Sequence, residues 1–138
     1  MSDTTTLSYE YETSASFAED VNQAVLKLKK ARLGRCDVSE SDFNGAREKM
    51  ATLLNAVASS LGASTRVTRP VHVPSEVLER LVAKHSNQLS CFQDDLVQTA
   101  AALQKGKAID DEAIKVLEEI SDAADATASA SFRRLRRR

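Results

Sequence analysis

Cys36, His72, His85 and Cys91 are the side chains of this sequence best suited to hold a metal or to drive a nucleophilic attack. Structural zinc requires Cys and His clustered at short, regular spacing, and these four have none. A di-metal carboxylate centre in a helical protein needs Glu-x-x-His on facing helices, and no such tetrad occurs in the chain. A haem would find His85 with Met50 as a distant second ligand. His85, however, falls on an apolar helical seam, where a core histidine is the plainer reading and leucine should serve as well. A serine or cysteine nucleophile needs a neighbouring base and a group that orients it. Two histidines and no glycine-rich elbow leave no such set. The four glycines are isolated, so no glycine-rich loop could cradle a phosphate. The expectation is a protein with no enzymatic site, no metal and no cofactor.

One motif points the other way. Arg80-Leu81-Val82-Ala83-Lys84-His85 has the Arg-x4-His form and resembles the motif of HEPN-family ribonucleases, which are also small helical bundles. The resemblance covers six residues and implies RNA cleavage with Arg80 and His85 at the site. Leu81 departs from the pattern, because a polar residue often follows the arginine. Five positions on one helix also rotate the two side chains about 140° apart, so they point in different directions.

Charge carries a second kind of chemistry. One basic cluster comprises Lys27, Lys29, Lys30, Arg32 and Arg35; the other is Arg133, Arg134, Arg136, Arg137 and Arg138, five arginines in the last six positions. Setting those five charges aside from the net −1 leaves −6 on residues 1–132, an acidic body with a basic end. Cations at a helix C-terminus complement the macrodipole, which accounts for the first cluster. The second exceeds what capping needs and suits contact with a polyanion: nucleic acid, an anionic lipid surface or an acidic protein.

The elements that must position these residues are helical. Aromatic residues make up 4% of the chain, with four glycines and two prolines; strand-rich domains use more of all three. Residues 1–15 carry Leu7, Tyr9 and Tyr11 in alternation, the pattern of an extended arm. Ser16-Phe17-Ala18-Glu19 fits a capping box and predicts a first helix with Phe17, Val21, Ala24, Val25 and Leu28 on its core face. Leu26 and Leu33 lie on the opposite side, and Gly34 stops it. Ser39 or Ser41 caps a second helix bearing Phe43, Ala46, Met50, Leu53, Val57 and Leu61, which Gly62 ends. Residues 63–73 read as an extended crossover, since Pro70 and Pro74 favour extended neighbours. Asp110 or Asp111 caps a last helix with Ile114, Leu117, Ile120, Ala124 and Ala128 on one face.

Between the crossover and Gly106, Val82, Leu89, Leu96 and Leu103 recur every seven residues, alongside Leu78, His85, Phe92 and Thr99. This is a heptad seam, predicting one helix from Pro74 to Lys105. Such a helix would run about 48 Å, against about 37 Å across a compact domain of this length. It must kink, stretch the bundle, or offer part of its seam to another chain. Ser86-Asn87-Gln88 is the weak point for a kink, but the heptad passes through it without slipping.

The sequence therefore predicts an all-α fold, a four-helix bundle of two αα-hairpins joined by an extended Pro-containing crossover. Its parts are an N-terminal arm (1–15), one helical domain (16–132) and a basic tail (133–138). The function expected is that of an interaction or assembly subunit. It binds another protein chain, or itself, through Leu78, Val82, Leu89, Phe92, Leu96 and Leu103. The alternative is a small nucleic-acid-binding subunit using the two basic clusters. No membrane span is expected, and the location expected is cytoplasmic or nuclear.

Overall fold

The computed structural model describes residues 3–34, 37–65 and 71–137. Among them are five helices: α1 (Asp3–Arg32), α2 (Glu40–Ser60), α3 (Ser75–Lys84), α4 (Leu89–Gln104) and α5 (Asp111–Arg136). No strand occurs among the described residues, and none of their helices is long and apolar enough to cross a membrane.

Local chemistry sets several of the boundaries. Ser39 caps α2 by accepting the Asp42 N–H at 3.1 Å, and Asp110 caps α5 by accepting the Ala113 N–H at 2.8 Å. Each satisfies one of the unpaired donors at a helix start. Gly106 ends α4 in the left-handed region (φ +75°), which lets the Lys107 N–H turn back to the Ala102 carbonyl.

α1 and α5 form a long antiparallel pair. Contacts step along them in opposite directions: Tyr11 with Phe132, Ser14 with Ser131, Asn22 with Asp125, Lys29 with Glu118, and Arg32 with Asp111. α2 packs on α1 and on α4, while α3 packs on α5. α4 touches α5 only lightly. Val21 and Leu28 of α1, Met50, Leu54 and Val57 of α2, Leu96 of α4, and Leu117 and Ile120 of α5 are fully buried between them. Each such side chain contributes roughly 1.5–3 kcal/mol.

Two expectations need correction. Residues 3–15 are helical, not an extended arm, so the Ser16–Glu19 capping box lies inside α1. The C-terminal half of α5 gives this stretch a surface to pack on, and Ser14 is buried there. Tertiary packing outweighs a local capping preference.

The seam is the second correction. It is carried by two helices, so the chain has five helices and not four. His85 (φ −112°, ψ 24°) ends α3, and Gln88 (φ −141°, ψ 39°) precedes α4. Ser86 and Asn87 are weak helix formers, and the break lets α3 lie on α5 while α4 lies on α2. A continuous rod of about 48 Å could not bury both ends against α2, which is about 32 Å long. Of the three outcomes its length allowed, the chain takes the break. Of the predicted crossover, residues 66–70 lie outside the described residues, and 63–65 and 71–73 are neither helix nor strand.

Candidate functional site

The break redistributes the seam. Phe92, Leu96 and Leu103 are buried in the core of the chain itself. Leu78 and Leu89 are half-buried, and Val82, at 39%, is the exposed member. The six residues therefore do not form one outward face.

The first basic cluster is largely engaged within the chain. Lys29 pairs with Glu118 (2.9 Å), Lys30 with Asp37 (3.1 Å) and Arg32 with Asp111. Lys27 is exposed, and Arg35 lies outside the described residues. These pairs tie the C-terminal end of α1 to the start of α5 and to the turn before α2. The arginine-rich end lies at the opposite end of the α1–α5 pair. Tyr11, which faces it, is eighteen positions before Lys29, or about 27 Å along the helix. The two clusters are separate surfaces.

At that far end α5 continues as helix through Arg136. Arg134 turns towards α3 and pairs with Glu76 at 3.2 Å, while also donating to the Ser131 hydroxyl at 3.1 Å. Arg133, Arg136 and Arg137 are exposed and make no ion pair with any described residue. Arg138 lies outside the described residues. Phe132 is 42% exposed and Tyr9 65%. The Phe132 ring lies 5.4 Å from that of Tyr11, and the Arg136 guanidinium carbon sits 5.7 Å from the centroid of the same Phe132 ring, a cation–π contact. Arg133 and Arg137, exposed and without an ion pair among the described residues, and Arg136, held over Phe132, thus share one helix end with a small aromatic patch. Arginine and tyrosine are the residues that dominate binding at protein interfaces, and arginine suits bidentate contact with carboxylate.

The residues of the Arg-x4-His motif do not converge. Arg80 donates to Glu76 on its own helix, from one of its terminal nitrogens at 3.2 Å. His85 donates from Nε2 to Glu119 Oε2 at 3.0 Å, since a carboxylate can only accept. Its ring stacks on Phe92 at 3.9 Å, and Lys84 reaches the other oxygen of Glu119 at 3.6 Å. Each motif residue is held by a different carboxylate on a different helix. Cys91 is a free, exposed thiol, and Cys36 lies outside the described residues. No group of three or more potential ligands that could hold a metal occurs among the described residues.

The sequence reading put Tyr9 and Tyr11 on an extended arm, which would not meet the end of the last helix, so it did not join them to Phe132 as one patch. Glu76, which fixes Arg134 and Arg80 together, gave no signal in the sequence. No family model, curated protein or solved structure matches the chain.

Proposed function

We propose that this chain is a non-catalytic helical interaction subunit that docks on an acidic, partly apolar surface of another protein through the basic end of α5. The observation that carries this reading is the set Arg133, Arg136 and Arg137, exposed and without an ion pair among the described residues, at the same end of the α1–α5 pair as the exposed rings of Phe132 and Tyr9. Lys29, Lys30 and Arg32 of the first cluster are spent on internal pairs. The seam contributes core, so the partner surface moves from α3–α4 to the end of α5.

Nucleic acid is the competing partner. The two basic clusters lie at opposite ends of the α1–α5 pair and form no contiguous basic stripe, which favours the protein partner over a duplex.

The test is affinity capture from the native source with wild type and with R133Q/R136Q/R137Q, each with and without nuclease. A protein retained by wild type, lost by the variant and indifferent to nuclease is the expected result. Retention by the variant, or release by nuclease, overturns the reading.

A further inference from the structure

We infer that the cleft between α1, α3 and α5 is a binding site for a small aliphatic ammonium compound, the size of an amino alcohol or a short diamine. The cleft measures about 250 Å³, smaller than the pockets of roughly 300–1,000 Å³ that take drug-sized ligands. Three hydroxyls from the inner faces of α1 and α5, those of Ser14, Thr127 and Ser131, line it and are buried. They occupy positions that continue the apolar stripes Val21–Phe17 on α1 and Ile120–Ala124 on α5, where a core would place alanine or valine.

Thr127 supplies the independent observation. It is 1% exposed, and its Oγ1 has no hydrogen-bond partner. A helical threonine commonly returns its hydroxyl proton to a carbonyl one turn back; here it does not. Burying an unpaired hydroxyl is costly, and a ligand group in the cleft would satisfy it. Ser131 accepts from Arg134 at 3.1 Å and lies 3.5 Å from the Ser14 hydroxyl, so these two are already partly engaged.

Charge selects the ligand's sign. Three carboxylates, Glu10, Glu76 and Glu79, line the cleft against one guanidinium, that of Arg134. Glu76 is neutralised by Arg134 on one oxygen and Arg80 on the other. Glu10 and Glu79 make no ion pair among the described residues. An anion would meet this excess of negative charge, whereas an ammonium group would be attracted by it. An ammonium group is also a donor with three protons, and the hydroxyls of Thr127 and Ser14 can accept them.

The experiment is a titration of the full chain with ethanolamine and with putrescine, followed by amide chemical shifts, with acetate and phosphate as contrasting probes. Expected is a saturable shift of the Ser14, Thr127 and Ser131 amides with at least one amine and with neither anion. Thr127→Val, which keeps the side-chain shape, should weaken binding about fivefold, the worth of one hydrogen bond. Glu79→Gln, at an exposed position that cannot disturb the core, should weaken it as well. Three results overturn the inference: no saturation by either amine, saturation by an anion instead, or unchanged amine binding in both variants.

Discussion

Replacing His85 by leucine separates a histidine that merely fills a seam from one that holds two helices together. A seam histidine should be exchangeable for leucine at no cost. In the structure its Nε2 proton goes to Glu119, a carboxylate 14% exposed, across the junction of α3 and α5. A hydrogen bond to a charged group contributes about 1.5–3 kcal/mol. Lys84 stays 3.6 Å from Glu119 in the variant and compensates part of the loss. Leucine also keeps apolar contact with Phe92. The net cost is then about 1–2 kcal/mol. A chain of 138 residues unfolds with an entropy of about 290 cal/mol/K near 60 °C, so the midpoint should fall by about 5 °C. Thermal unfolding followed by circular dichroism reads this directly. A cycle with Glu119→Gln isolates the pair and should give a coupling of about 1 kcal/mol. A His85→Leu variant as stable as wild type, or a coupling of zero, would refute the reasoning.

Leu96→Glu/Leu103→Glu should unfold the chain, because both leucines are core and a buried unpaired charge costs several kcal/mol; a folded double variant, seen by circular dichroism, would mean that the α4 face is free. Asp110→Ala removes the cap of α5 and should cost about 1 kcal/mol in denaturant unfolding, with the slope unchanged. Lys29→Ala should change stability by less than about 1 kcal/mol, since its pair with Glu118 is half-exposed; a larger loss would show the first cluster to be structural in more than its charge.

The helical class and most helix ends were legible because they rest on local rules. Apolar periodicity, the Ser39 and Asp110 caps and the glycine stops act within a few residues of themselves. What the sequence hid depends on which surfaces meet. Residues 3–15 are helical because α5 is long enough to receive them, and nothing near Tyr9 or Tyr11 encodes that. The heptad from Leu78 to Leu103 is continuous in sequence, yet the chain breaks at Ser86–Gln88 because α2 and α5 offer two directions of burial. The basic end was visible as composition alone. That Arg134 forms an ion pair while Arg133, Arg136 and Arg137 form none among the described residues follows from helical rotation against α3, whose own place on α5 was not readable. The buried hydroxyls did leave a trace: Ser14, Thr127 and Ser131 are polar residues at apolar positions.

The most direct test of the docking surface is site-specific photocrosslinking in the native source. A photoreactive phenylalanine analogue is placed in turn at Phe132, at Val82 on α3 and at Lys27 in the first basic cluster, and the crosslinked peptides are mapped. The account predicts that position 132 captures one protein through a segment rich in Asp and Glu, that the yield falls steeply with salt, and that positions 82 and 27 do not capture it. Capture of the partner from position 82 and not from 132, or capture of nucleic acid at 132, would contradict it.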